Sequence, residues 1–369
     1  MKTEKIIKFI KKEAVFCTAF LAAVISAFIV PPSKEYIGYI NFSVLALLFC
    51  LMTTVEGFKQ NGILSFAANK LAGYAKNMRM LCLVLTSLCF FASMLMTNDV
   101  SLIAFVPITV LLMEKSRKNL LITVVIETLA ANLGSMLTPI GNPQNLFIYE
   151  KSGMNAGKFI LTMLPLTILS YIMICLCCFL VKKENVEKVK NITSPDKKGG
   201  IICSILFIMC ILTVLHIIPY IFCIAIVAAV FLIYNRNILL KTDYMLLLTF
   251  VCFFIFSGNI SNIPWAKDFL SGLLEKHTLE TSLLCSQVIS NVPATVLLYP
   301  FCENIKQLLY GVDIGGLGTP VASLASLISY RIYISSKNAK SGKYLFVFTI
   351  LNIIFLAVLY AAAKIFLLK

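Results

Sequence analysis

Asn132-Leu133-Gly134-Ser135-Met136-Leu137-Thr138-Pro139-Ile140-Gly141-Asn142-Pro143 lies in the middle of an apolar segment that is otherwise long enough to cross a bilayer. Pro139 and Pro143 remove backbone donors, and Gly134 and Gly141 permit unusual backbone angles, so the stretch predicts a helix broken at mid-membrane. The pattern returns at Asp313-Ile314-Gly315-Gly316-Leu317-Gly318-Thr319-Pro320-Val321-Ala322-Ser323. Each copy follows an apolar stretch with an Asn at its turning point, Met96-Thr97-Asn98-Asp99 and Ile289-Ser290-Asn291-Val292. The spacing to a later Pro is the same in both: 107 − 97 = 10 from Thr97 to Pro107, and 300 − 290 = 10 from Ser290 to Pro300. Helix-breaking polar sequence in matching positions of two apolar halves points to a transport site.

Composition sets the class. The 369 residues are 59% hydrophobic and only 13% charged, with a mean hydropathy of +0.91. That is too little polar surface for a soluble chain and predicts an all-α polytopic membrane protein. The net charge of +15 sits at segment ends and in loops, with no basic recognition face, so no nucleic-acid partner is expected. The 13 Cys fall mostly inside apolar runs such as Cys175-Leu176-Cys177-Cys178, without the spacing of a zinc site. His216 and His277 stand alone near segment ends. The chain has no HExxH, no GxSxG and no phosphate-binding glycine loop, so neither an enzyme nor a cofactor is expected. A bound sodium ion is the one candidate ligand besides substrate.

Taking about 20 apolar residues per span, about nine spanning helices are expected, at 14–31, 37–58, 119–150, 158–181, 200–218, 220–235, 242–260, 303–335 and 343–366. Those at 119–150 and 303–335 are the broken helices. The stretches 80–113 and 278–301 read as re-entrant hairpins, because their central polar turns would otherwise be exposed at depth in lipid. Short interfacial helices at about 61–77 and 262–277 lead into them, the second carrying Trp265, the only Trp. Lys2, Lys5, Lys8, Lys11 and Lys12 ahead of the run from Ala14 to Val30 resemble a signal peptide, but without a convincing cleavage site the run reads as a retained helix.

With a cytoplasmic N-terminus, segments 59–79, 115–118, 182–198, 236–241 and 337–343 bring most Lys and Arg to one face, against Lys34, Lys151, Lys158, Lys267, Lys276 and Lys306 on the other. That is the positive-inside asymmetry of a cell-membrane protein. It makes the halves inverted repeats: residues 1–181, then a basic cytoplasmic linker at 182–199, then residues 200–369 with one extra helix.

A helix broken in the membrane exposes N–H groups at one half-helix end, suited to an anion, and C=O groups at the other, suited to a cation. Thr138, Asn142, Gln144 and Asn145 add side-chain ligands at the first break, and Thr319 and Ser323 at the second. With Asn98 and Asn291 at the hairpin tips, the expected substrate residues are Asn98, Thr138, Asn142, Asn145, Asn291, Thr319 and Ser323. Thr97, Asp99, Asn132, Ser290 and Asp313 are the expected residues for a coupling ion or proton, intramembrane carboxylates being costly and usually functional. Glu127 is a third intramembrane acid, and Glu56 lies near enough to a segment end to be structural. The acid lies at the hairpin tip in one copy (Asp99) and at the break in the other (Asp313), where coupling and selectivity are expected to be decided.

At Thr97-Asn98-Asp99, Ala131 to Asn145, Ser290-Asn291-Val292-Pro293-Ala294 and Gly311 to Leu327 the sequence resembles the ion transporter superfamily. The likeness is to its arsenite permease and sodium/proton antiporter branch, with the related citrate-transporter-like permeases. The resemblance implies a homodimeric secondary transporter with scaffold and transport parts and an elevator-like displacement. In the dicarboxylate branch a Ser-Asn-Thr at each tip contacts substrate and sodium. Here Asn98 and Asn291 match, while Asp99 and Val292 take the third positions, and two early helices of that branch have no counterpart. The expected function is transport of a small inorganic or carboxylate anion across the bilayer, coupled to a proton or sodium gradient. A cation/proton antiporter is the near alternative; a membrane-embedded enzyme or a channel is remote.

Overall fold

The computed structural model describes residues 13–114, 116–185, 194–337 and 339–367. The N-terminal lysines at 2–12, Lys115 and the linker lysines Lys188 and Lys190 lie outside them. The described residues form α-helices and short helical turns, with a single isolated bridge between Asn77 and Asn185.

In chain order, α1 (Ala14–Ile29) and the short α2 (Glu35–Tyr39) precede α3 (Phe42–Gln60). After α4 (Ile63–Ala72) comes the first hairpin, α5 (Met78–Ser93) and α6 (Asn98–Met113), then the first broken helix, α7 (Arg117–Ser135) and α8 (Pro143–Ser152). α9 (Ala156–Cys177) leads to the linker, which ends where α10 (Lys197–Val214) begins. α11 (Tyr220–Tyr234), α12 (Arg236–Lys241) and α13 (Tyr244–Ser261) follow. α14 (Pro264–Ile289) and α15 (Asn291–Leu298) make the second hairpin, α16 (Ile305–Gly315) and α17 (Leu324–Ile334) the second broken helix, and α18 (Ser341–Ala362) follows.

Five helical segments are long and apolar enough to span unaided: Phe42–Gln60, Ala156–Leu180, Lys197–Val214, Tyr244–Ser261 and Ser341–Leu367. Together with the shorter apolar helices they make the all-α polytopic architecture that the sequence leads one to expect. The segments at 14–31 and 220–235 form helices of 16 and 15 residues, about 22–24 Å at 1.5 Å per residue, short of a hydrocarbon core of about 30 Å. Pro31 and Pro32 follow α1, and Asn235 starts a new helix by accepting Asn237 N–H. The segments at 119–150 and 303–335 are broken, as expected. The interfacial segment at 262–277 is continuous with its hairpin arm: α14 runs from Pro264 and leaves helical geometry only at His277, with φ −139° and ψ 44°. Trp265, near its start, is exposed.

Polar caps mark the starts. Asn41, Asn77, Asn155, Asp243 and Asn304 each accept a first-turn N–H, so these donors have partners even where apolar sequence surrounds them.

Packing brings the breaks together. α5 lies along α7 and α14 along α16, so each hairpin's first arm rests on the first half of its own broken helix. The second arms cross over, α6 packing on α17 and α15 on α8. A second group of helices stands beside this one, with α13 on α1 and α3 on α10 and α11. The two groups meet where α3 touches α8, α4 touches α6 and α13 touches α15. The Cys side chains in these cores are free, and the Sγ atoms of buried Cys82 and Cys178 approach to 3.7 Å.

The linker face is tied by the backbone. Met78 N–H donates to Glu184 O at 2.8 Å, and Arg79 Nε donates to Val181 O at 2.9 Å. Asp196 caps α10, accepting Lys198 N–H at 3.1 Å and the Tyr234 hydroxyl at 2.6 Å. The Tyr234 hydroxyl holds the Asp196 carboxyl below the ordinary carboxylate range. A carboxyl depressed in the folded state contributes stability above its unfolded pKa of about 3.9, and the contribution is lost as pH falls through the lower folded value. Asp196→Asn is therefore expected to keep the cap but to flatten the acid limb of thermal stability below about pH 4, and Asp196→Ala to lose both. Melting curves in detergent between pH 3 and 7 check this; an unchanged acid limb in Asp196→Asn contradicts it.

Candidate functional site

Each hairpin tip is bonded to the break beside it in the same way. Asn98 N–H donates to Gly141 O at 3.1 Å, and Asn291 N–H donates to Ala322 O at 3.0 Å. Gly141 and Ala322 each stand two residues after the Pro of Thr-Pro. The Thr of each Thr-Pro also reaches its own hairpin: Thr138 Oγ1 donates to Met94 O, and Thr319 Oγ1 donates to Gln287 O at 3.3 Å. Breaking the helix frees carbonyls and N–H groups that cannot be left bare in an apolar interior, and the tips supply partners.

The centre is an exchange between the two breaks. Asn142 caps α8, its Oδ1 accepting Asn145 N–H at 2.9 Å, while its Nδ2 donates to Asp313 Oδ1 at 3.1 Å. Gln144 Nε2 donates to the same oxygen at 3.2 Å. In mirror fashion Ser323, before α17, donates to Asn132 Oδ1 at 3.0 Å, and Asn132 Nδ2 donates to Ser326 Oγ at 3.2 Å. The spacings match: 138 − 132 = 6 and 319 − 313 = 6, then 142 − 138 = 4 and 323 − 319 = 4. Asn132 and Asp313 therefore occupy corresponding positions, each at the end of the first half of its helix. The position that matches Asp313 is thus the neutral Asn132, in keeping with the expectation that the two copies carry their acids at different places, Asp99 at a tip and Asp313 at a break.

The two sides differ in three ways. Asn98 Nδ2 donates to Asn132 Oδ1 at 2.9 Å. Asn291 Oδ1 accepts from Val292 N–H at 3.0 Å and Ser290 Oγ at 3.4 Å, but Asn291 makes no such bond to Asp313. Ser290 has φ 72°, a left-handed conformation that a residue with a Cβ seldom takes, whereas Thr97 has φ −60°. Gln287 spans the second break, its Nε2 donating to Gly315 O at 2.7 Å and Leu317 O at 2.8 Å while its Oε1 accepts Thr319 N–H at 3.0 Å. At Gly318, φ is +99° and a Cβ would strike Gln287, so only glycine closes that turn.

The expected site residues are spread unevenly. Asn98, Asn132, Asn142, Asn145, Asn291, Asp313 and Ser323 are buried at or beside the centre. Asn145 Nδ2 is occupied by the carbonyls of Ser135, Met136 and Thr138, at 3.3–3.4 Å, and so braces the break. Thr138 is half-buried and Thr319 exposed, with their hydroxyls directed to hairpin carbonyls. Thr97 and Ser290 are buried at the tips, and Ser290 Oγ also donates to Ala322 O at 3.2 Å. The half-buried Asp99 carboxylate accepts no hydrogen bond among the described residues. Glu127 lies off the centre, accepting from Thr109 Oγ1 at 2.6 Å. Ser135, Ser326 and Gln287 were missed; the equal spacing 145 − 142 = 3 and 326 − 323 = 3 was the available signal for Ser326.

The buried polar atoms left without partners show what the centre can take. Asp313 Oδ2 and Asn145 Oδ1 are both buried acceptors with nothing donating to them. Ser323 makes no side-chain cap bond to α17, so apart from Ser326 N–H, which donates to Ser323 O at 3.1 Å, the first-turn N–H groups are left to a negative charge. Among the described residues no group of three or more His, Cys, Asp or Glu could hold a metal ion.

Fold and centre together define an all-α, multi-pass membrane protein with helix ends and amides meeting at its core. The model of the citrate transporter family matches residues 3–313, and the chain belongs to that family. It is 34% identical over 335 residues to an uncharacterized transporter of Methanocaldococcus jannaschii, covering 90% of this chain and 92% of that one. It is 32% identical over 314 residues to the inner membrane protein YbiR of Escherichia coli, covering 83% and 84%. A putative transporter arsB of Dictyostelium discoideum is 25% identical over 161 residues, 44% of this chain and 28% of that one.

Proposed function

We propose that the chain is a secondary transporter that carries a small anion or oxyanion across the cell membrane, driven by a proton gradient. The observation that carries this reading is the exchange of hydrogen bonds between the two breaks, with one carboxylate, Asp313, set against a neutral Asn132. The substrate is taken between the tips and the breaks by Asn98, Asn142, Asn291, Ser323 and the uncapped end of α17, with Thr138, Asn145 and Thr319 holding the frame. Asp313 carries the coupling proton, and Thr97, Asp99, Asn132 and Ser290 are the further residues assigned to coupling. The family's name favours a carboxylate among small anions.

A proton suits Asp313 better than sodium. Its Oδ1 already accepts two amide N–H groups, whose positive ends face any nearby cation. Two unpartnered oxygens remain, Asp313 Oδ2 and Asn145 Oδ1, against the roughly six that a hard cation gathers. The halves, residues 1–181 and 200–369, are inverted in the membrane with the linker cytoplasmic. The body of α5–α9 and α14–α18 then moves against α1, α3 and α10–α13, which suit a homodimeric scaffold. A cation/proton antiporter is the second reading, favoured by Asp99, a further carboxylate at a hairpin tip that accepts no hydrogen bond among the described residues.

The test is uptake into proteoliposomes of citrate, succinate, sulfate and arsenite, each with and without a proton or sodium gradient. Saturable, proton-driven uptake of one of them is expected. Asn98→Ala and Asn291→Ala should each reduce it by about tenfold, the consequence of about 1–3 kcal/mol per buried polar partner lost. Gradient-independent, non-saturable flux removes the carrier reading, and unchanged flux in both variants removes the site.

A further inference from the structure

The far end of α8, about 12 Å from the Asn142 cap at 1.5 Å per residue, carries a further carboxylate, largely buried. The Glu150 side chain is only 7% exposed. Its Oε2 accepts from Ser43 Oγ, in the first turn of α3, at 2.6 Å, while Oε1 is buried without a hydrogen bond. Facing Oε1 at 3.8 Å is Nε2 of His216, whose side chain is 58% exposed and whose ring stacks on Tyr149 at 5.7 Å and 8°. His216 ends α10 with φ 59°; its N–H donates to Thr213 O and Ile217 N–H donates to Leu212 O. Helices that end in this left-handed way normally place glycine there. An imidazole in that position, half in water and aimed at an unsatisfied carboxylate, has a role that glycine could not fill.

We propose that Glu150, His216 and Ser43 form a proton-binding site on the face opposite the linker, which ties α8 to α3 and to the α10–α11 turn when His216 is charged. A neutral imidazole carries its one N–H on either nitrogen, whereas the imidazolium carries both, so that Nε2–H always faces Oε1. The proton comes from bulk water, and imidazole changes charge between about pH 5 and 8. The other charged or titratable groups nearby do not close on Oε1. On α8 these are Tyr149 and the exposed Lys151. α3 has the buried Cys50 in its middle and Glu56 and Lys59, paired with each other at 3.1 Å, toward its far end. α15 has none; on α16, Lys306 donates to Leu367 O, the Tyr310 hydroxyl to Thr162 O, and Asp313 accepts from Asn142 and Gln144. α9 brings the exposed Lys158 beside Phe159, which packs on Tyr149, and α11 begins at Tyr220. The inference rests on the proposed transport only in taking α8 and α3 to belong to parts that move against each other.

Melting of the purified full chain in detergent at pH 6 and pH 8 tests it without any substrate. The gain in melting temperature at pH 6 should be larger in the native protein than in His216→Gln by about 2 °C, the shift expected for a coupling of roughly 1 kcal/mol. Glu150→Gln should lose the same increment, and the double variant should lose no more than either single one, because the two groups act as a pair. The same pH dependence in His216→Gln as in the native protein overturns the proposal, as does additive loss in the double variant. Should Glu150→Gln not fold, the exposed His216→Gln still decides. Failure here leaves the transport reading intact, and absence of transport leaves this melting result intact.

Discussion

Replacing Asp313 by Asn is expected to leave a folded protein whose uptake no longer responds to a proton gradient. Asn keeps an acceptor oxygen for Asn142 Nδ2 and Gln144 Nε2, now at 3.1 and 3.2 Å, so the exchange between the breaks survives. What it removes is the one group at the centre that can bind and release a proton. Its counterpart, Asn132, is neutral and already bonded by Asn98 and Ser323, so no second titratable group replaces it. Asp313→Ala should do more damage. It leaves two buried amide donors unpaired, at about 1–3 kcal/mol each, enough to weaken substrate binding by at least about tenfold. Uptake with an imposed pH gradient in either direction, beside exchange without a gradient, separates the two effects. Full gradient dependence in Asp313→Asn would place coupling elsewhere, with Asp99 the next candidate.

Gly141→Ala is expected to be among the most destabilising single changes in the first half, although its counterpart, Ala322, already has a methyl group. A Cβ at Gly141 would fall on the Ser135 carbonyl, 2.7 Å from its carbon and 2.8 Å from Ser135 Cα. Backbone cannot rotate away as a side chain can, so the break itself must open. Overpacking of this kind costs about 1–3 kcal/mol, and the upper end is expected because Gly141 O also receives Asn98 N–H. Opening the break moves the hairpin tip, so uptake should fall with stability. Thermal melts and uptake assays on the same preparation check this. A melting temperature equal to that of the native protein would show that the break is looser than its contacts imply.

The helices, the hairpins and both breaks were legible because they follow from local chemistry. Pro139 and Pro320 cannot donate, the apolar runs cannot lie in water, and the polar tips cannot lie in lipid. Helix ends were less legible: apolar runs do not show where a helix stops, and the Pro pair after α1 and the Asn235 cap end two of them early. The roles of the polar residues were the hardest to read. Asn142, Asn145 and Thr138 look alike as amide or hydroxyl groups at one break, yet Asn142 bonds to the other half, Asn145 to three carbonyls of its own, and Thr138 to its hairpin. A side chain's role depends on which donor or acceptor it meets, and that partner is distant in sequence.

The sequence alone determined that this chain is a helical membrane protein with a doubled motif, because hydropathy and missing backbone donors are properties of the residues themselves. Only the tertiary structure decided that the two breaks trade hydrogen bonds, Asn142 to Asp313 and Ser323 to Asn132. The crossing of α6 onto α17 and α15 onto α8 brings the breaks within hydrogen-bond reach. Once they meet, each half must satisfy the other's buried polar ends, and the one carboxylate in that exchange is left with an oxygen that no residue fills.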